Sequence, residues 1–84
     1  MARVILLASL ARQFAGGQEE HDVPGLTVRQ IVRHLDERFP GLGERLDHGI
    51  AVAIDGVIHQ NAWLERVEPD SEVAFMPAIE GGGL

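Results

Sequence analysis

Apolar residues dominate the opening of this chain: Val4, Leu6 and Ala8 fall on one alternating face of the run from Arg3 to Ala8, and Ile5 and Leu7 on the other. Apolar groups on both faces predict a central strand, buried beneath and covered above. Gly16-Gly17 interrupts the pattern, and the polar stretch from Glu19 to Val23 fits a returning edge strand. Pro24-Gly25 then turns the chain. Thr27 has the character of a helix N-cap, with Gln30 three residues on completing a capping box. Val28, Ile31, Val32, Leu35 and Phe39 recur at helical spacing, so one face of this helix is apolar while Arg29, Arg33, Asp36 and Glu37 face water. Pro40-Gly41 ends it.

Leu42 to Gly49 reads as a connector with room for a short turn of helix. Ile50-Ala51-Val52-Ala53-Ile54 alternates large and small apolar groups, the pattern of a strand with one packed face. Asp55-Gly56 is a hairpin turn signal, with Val57-Ile58-His59 as the returning strand. Gln60 to Glu68 is a mixed connection, Pro69-Asp70-Ser71 a second turn, and Glu72 to Pro77 a last strand. The predicted order is strand, strand, helix, strand, short strand, strand. Its expected core is Val4, Leu6, Val28, Ile31, Leu35, Ile50, Val52, Ile54, Val73 and Phe75. Parity then sends Ile5, Leu7, Ala74 and Met76 to the opposite sheet face. With Pro77 they form the expected partner-binding surface, because an exposed apolar patch usually marks an interaction site.

Composition narrows the chemistry. Eighty-four residues suit one small domain, and a hydrophobic content of 45% is ample for a packed interior. No cysteine is present, which removes disulfides, thiolate metal sites and any cysteine nucleophile. All seven basic residues are arginines, so neither a phosphate-loop lysine nor a Schiff-base lysine exists here. The net charge of −6 argues against nucleic acid and favours a partner with a basic face. The apolar opening is short and soon followed by Arg12, which fits a strand better than a signal peptide. No run of ~18 apolar residues spans a membrane, and the expected location is the cytoplasm.

Side-chain catalysis finds little footing. His21, His34, His48 and His59 sit at no metal-ligand spacing and read as ordinary surface histidines. Ser9 and Ser71 lack a neighbouring His–Asp arrangement. Asp70-Ser71-Glu72 after Pro69 is a turn rather than an acidic metal loop. Gly41-Leu42-Gly43 has no preceding strand and is no nucleotide fingerprint.

One reactive group is left, the carboxylate at the end of Gly81-Gly82-Gly83-Leu84. Glycines there contribute nothing to packing, since their unfolded backbone entropy is large. They do make a thin rod able to enter a channel too narrow for a Cβ. From Ala78 to Gly82 an extended chain reaches about 17 Å at ~3.4 Å per residue.

The strand order, the Asp55-Gly56 hairpin and the ending Val73-Ala74-Phe75-Met76-Pro77…Gly81-Gly82 resemble the ubiquitin-like sulfur carriers across essentially the whole chain. The likeness is to the molybdopterin synthase small-subunit type, with the thiazole-synthesis carriers as shorter relatives. Val4-Ile5-Leu6-Leu7-Ala8 is similar to that family's first strand. The resemblance implies an α+β, β-grasp fold: a mixed sheet of four to five strands on one main helix, spanning residues 1–77, followed by a flexible tail at 78–84. It implies a carrier rather than an enzyme, with no bound cofactor. An adenylating partner related to ubiquitin-activating enzymes would use ATP on the terminal glycine, and a sulfur donor would then make a thiocarboxylate. A synthase large subunit or another acceptor enzyme would receive the sulfur. By that likeness the reactive carboxylate belongs to Gly82, with Gly83 as the alternative, and a processing protease would remove the residues beyond it. Thiazole, amino-acid or secondary-metabolite synthesis are alternative destinations. A ubiquitin-like modifier joined to lysines of other proteins is a further alternative, and a β-grasp scaffold without C-terminal chemistry is a third.

Overall fold

The alternation of Val73 and Phe75 with Ala74 and Met76 becomes the central strand of a five-stranded sheet in a computed structural model that describes residues 1–59 and 62–77. The elements are β1 (Ala2–Leu6), α1 (Ala8–Phe14), β2 (Glu20–Val23), α2 (Val28–Arg38), α3 (Leu42–Leu46), β3 (Ile50–Ile54), β4 (Val57–His59) and β5 (Glu72–Pro77). Strand order is β2-β1-β5-β3-β4, with β1 and β5 parallel and the other neighbours antiparallel. The polar strand β2 lies at one edge, as its composition predicts, and the short β4 at the other. This mixed sheet with helices over one face is the β-grasp arrangement.

Val4, Leu6, Val52, Val73 and Phe75 from the sheet meet Val28, Ile31 and Leu35 of α2 in one buried cluster. Ile50 and Ile54, at the two ends of β3, are only partly buried but pack against it. The core is wider than the alternation of the strands indicates. It also takes in Leu10 and Ala11, Leu42 and Leu46 of α3, and Ala62 and Val67 of the connection before β5.

Two expectations are corrected. The first strand ends at Leu6, and Ala8 opens α1 instead of extending the strand. Leu10, Ala11 and Phe14 carry a helical spacing that the apolar run ahead of them disguises, and burial of Leu10 and Ala11 against the core selects the helix. β1 is therefore not covered on both faces: its outward Ile5 is half-buried, and Leu7 beyond its end is exposed. The second correction is His21, which is buried rather than at the surface. It stands on the inward parity of β2, its Nε2–H donates to the Gln18 carbonyl at 2.8 Å, and its ring meets Phe39 edge-on at 5.2 Å.

The start of α2 is held by side chain and backbone together. The Gln30 amide N–H donates to Thr27 Oγ1 at 3.3 Å, while Gln30 Oε1 accepts from the Leu26 N–H at 2.8 Å, one residue earlier than a standard capping box. The first helical N–H groups have no partner within the helix. Here Val28 donates to the Glu65 carbonyl and Arg29 to the Trp63 carbonyl, at 3.1 and 2.9 Å, so the connection before β5 is clamped onto α2. Gly25 approaches the same helix so closely that a Cβ would stand 2.8 Å from Ile31 Cγ1.

At the other end of the sheet Asp55 (φ 48°) and Gly56 (φ 85°) form the β3–β4 turn, both in the left-handed region that type I′ hairpins require. The Asp55 carboxylate accepts the Glu72 N–H and the Ser71 hydroxyl, each at 2.9 Å, and Ser71 Oγ accepts the Glu68 N–H at 3.0 Å. The hairpin turn is thereby tied to the start of the central strand.

Leu35→Ala, which empties a fully buried position, is expected to cost about 2–5 kcal/mol in denaturant titration; a loss under ~0.5 kcal/mol would mark a surface site instead. Asp55→Ala leaves the buried Ser71 hydroxyl without its acceptor, and about 1–3 kcal/mol is expected to be lost in the same titration.

Candidate functional site

Because the pleat alternates, every strand also presents a second face away from the helices. Register aligns those outward positions into rows. Glu20 of β2 pairs with Ile5 of β1, Ile5 with Ala74 of β5, Ala74 with Ala53 of β3, and Ala53 with Ile58 of β4. One turn of pleat nearer the end of β5, Met76 stands opposite Ala51, and the Leu7 N–H donates to the Phe75 carbonyl at 3.3 Å. The result is an apolar face with three alanines at its centre, bordered by Ile5, Leu7, Met76 and Ile58. Leu7 and Ile58 are 39% and 63% exposed, whereas Ala74 and Met76 are half-buried.

The predicted partner-binding residues are thus brought together. Ile5, Leu7, Ala74 and Met76 lie on one face, and Pro77 is the last residue of β5, paired with Ile50. Ala51, Ala53 and Ile58 join them, and sequence reasoning missed all three. Their signal was the small–large alternation of residues 50–54, which has no address on the sheet until register with β5 is known.

A charged row flanks the apolar one. Asp22, Arg3 and Glu72 are cross-strand neighbours. The Arg3 guanidinium donates to Glu72 and lies 3.6 Å from Glu20. The hydrogen bond to Glu72, then the charges of Glu72 and Glu20, hold the Arg3 pKa above its ordinary value, so this arginine stays charged throughout the physiological range.

The remaining histidines lie apart: His34 of α2 stands 3.5 Å from Glu37, His59 of β4 3.4 Å from Glu65, and His48 is exposed between α3 and β3. Among the described residues no three His, Cys, Asp or Glu side chains cluster to hold a metal, and no helix is long and apolar enough to cross a membrane.

β5 runs between β1 and β3, so its last residue, Pro77, stands in the middle of the sheet. The predicted reactive end, Gly81, Gly82 and Gly83 with Leu84, lies outside the described residues.

A mixed five-stranded sheet with this order and a main helix packed across one face define a ubiquitin-like β-grasp protein. The chain belongs to the ThiS family, whose profile matches residues 4–82. It is similar to the molybdopterin synthase sulfur carrier subunit of Pyrenophora tritici-repentis, at 28% identity over 81 residues, covering 93% of this chain and 87% of that protein. Among solved structures it is similar to the Amycolatopsis orientalis BexX/CysO complex, with a TM-score of 0.83 at 22% identity over 98% of this chain and 100% of the matched chain. It is also similar to small archaeal modifier protein 1 of Methanosarcina acetivorans, with a TM-score of 0.77 at 22% identity over 96% of this chain and 95% of that one.

Met76 sits on the face away from the core, so Met76→Arg is expected to leave stability within about 0.5 kcal/mol of the parent in thermal melts. A loss as large as that of Leu35→Ala would place this side chain in the interior.

Proposed function

We propose that this chain is a sulfur carrier that serves as a protein substrate for partner enzymes in the cytoplasm, with molybdopterin synthesis as its destination. The observation that carries this reading is a family match that extends to Gly82 and stops there, in a chain whose tail follows directly from the central strand. A relative named as a molybdopterin synthase sulfur carrier subunit supports the destination.

The chemistry follows from the terminal carboxylate. As an anion it resists nucleophiles, and adenylation by an activating enzyme with ATP turns it into a mixed anhydride with AMP as leaving group. Transfer of sulfur from a donor displaces AMP and leaves a thiocarboxylate, an anionic soft nucleophile at neutral pH. The carrier needs no cysteine, because the sulfur arrives from outside and leaves on the tail. Gly81 and Gly82 suit a narrow channel because neither carries a Cβ. Leu84 would bring a branched side chain to where the nucleotide must approach, and its carboxylate lies ~7 Å further along at ~3.4 Å per residue. A protease that removes Gly83-Leu84 therefore precedes activation, and the reactive group is the Gly82 carboxylate.

The apolar face of Ile5, Leu7, Ala74 and Met76 docks the activating enzyme and the sulfur-accepting synthase subunit in turn, since Met adapts to more than one partner surface. CysO is found in complex with BexX in the Amycolatopsis orientalis structure, which supports assembly of a carrier of this fold with a partner. A second reading, a modifier joined to lysines of other proteins, is favoured by the likeness to small archaeal modifier protein 1.

Intact-mass measurement decides between them. The 84-residue chain and a chain ending at Gly82 are each given to the activating enzyme with ATP and a sulfur source. The Gly82-ended chain is expected to gain the mass of one oxygen-to-sulfur exchange, while the longer one stays unchanged until a protease acts. Equal charging of both would overturn the trimming step, high-mass conjugates would establish the modifier, and reaction of neither would remove the carrier reading. Met76→Arg in the Gly82-ended chain is expected to abolish binding to the activating enzyme in calorimetry.

A further inference from the structure

On the helix side of the sheet a depression of about 250 Å³ opens between α2, α3 and β3. Its lining changes character from the inside outward. Val32 of α2, Leu46 of α3 and Phe75 of β5 are buried, Ile50 and Trp63 are half-buried, and Asp47 is exposed. A ~150 Å³ void already accepts benzene, so this one has room for a long aliphatic stem. A second depression shares Asp47 and Trp63 with the first and is completed by Arg29 and Leu64. None of the chemistry assigned above uses either.

Asp47 sets the kind of occupant that this lining suits. It is the C-cap of α3, and its N–H already donates to the Glu44 carbonyl at 3.2 Å. The ion pairs among the described residues are made by Arg3, His34 and His59, and none includes Asp47. Arg29, in the wall of the neighbouring depression, forms no ion pair with it either. A buried apolar wall that ends at one exposed carboxylate is complementary to an apolar stem that ends in a cation. Trp63 adds to that preference, since an indole face attracts a cation within about 6 Å. Lysine and arginine side chains have this form, laying the stem on apolar surface and keeping the charged head toward water.

We infer that the depression walled by Val32, Leu46, Phe75 and Trp63 receives a lysine or arginine side chain of a partner protein, with its charged head at Asp47. Leu64, 76% exposed in the second depression, extends the apolar contact past the first, further than one small molecule would cover. A net charge of −6 attracts a basic partner surface and repels a second copy of this chain. Such a contact lies on the helix side, opposite the apolar face assigned above, and is independent of any chemistry at the chain's end.

Trp63 is the only tryptophan, and with Gly49 it lines the depression, so its indole N–H and the Gly49 amide report occupancy by NMR in the 84-residue chain. Titration with Nα-acetyl-lysine methylamide is expected to shift both resonances saturably. Binding should be about fivefold tighter than that of the uncharged norleucine counterpart, the factor of a good exposed ion pair. Asp47→Asn should erase that advantage and Arg29→Gln should enlarge it, whereas Asp70→Asn, on the turn before β5, should leave it unchanged. All three replace exposed side chains, so melting temperatures stay at the parent value. The proposal is overturned if norleucine binds as tightly as lysine, or if Asp47→Asn keeps the preference for lysine. Much tighter binding of pentylammonium than of the blocked lysine would make a free amine the occupant. Self-association in sedimentation that Asp47→Asn abolishes would make it a second copy, and either result also overturns the proposal.

Discussion

The pairing of β5 with β1 on one side and β3 on the other is the constraint from which the rest of this structure follows. A strand bonded along both edges cannot slip by one residue without moving Val73 and Phe75 out of the core and Ala74 and Met76 into it. The penalty for that exchange, several buried side chains at once, locks the register of the whole sheet. Once it is locked, the outward residues of all five strands are in their rows.

Two polar devices hold the ends of this central strand's surroundings. At its start Asp55 reaches from the β3–β4 turn to the Ser71 hydroxyl and the Glu72 amide. Near α2 the carbonyls of Trp63 and Glu65 take the first helical N–H groups, so the connection that leads into β5 also closes the helix end. Both place hydrogen-bond partners where a bare turn or a bare helix terminus would otherwise leave donors unpaired. They also hold Trp63 where it packs against the core.

The two faces of the sheet differ in what they carry. Large aliphatic and aromatic groups fill the helix side, whereas the outer face has alanines at its centre with larger apolar groups around them and an acid-rich row, bridged by Arg3, along one flank. Small central residues keep the face shallow, which suits docking of another folded surface. The acidic flank favours a partner of positive charge.

Much of this was legible in the residues alone. The alternation in 50–54 and 72–77, the Asp55-Gly56 turn and the Thr27 cap are local signals whose physics acts within a few residues, and each element stands where its signal places it. Parity alone also sends Ile5, Leu7, Ala74 and Met76 to one side. Tertiary structure decided the rest because the forces involved act between segments distant in sequence. α1 forms because Leu10 and Ala11 find a core to enter, which its own short sequence does not reveal. His21 is buried because β2 presents it to Phe39, eighteen residues away in the chain. Ala51, Ala53 and Ile58 join the outer face, and Ile50 meets Pro77, only through the pairing of β3 with its neighbours. Register is a collective property of the packed sheet, and no single strand contains it.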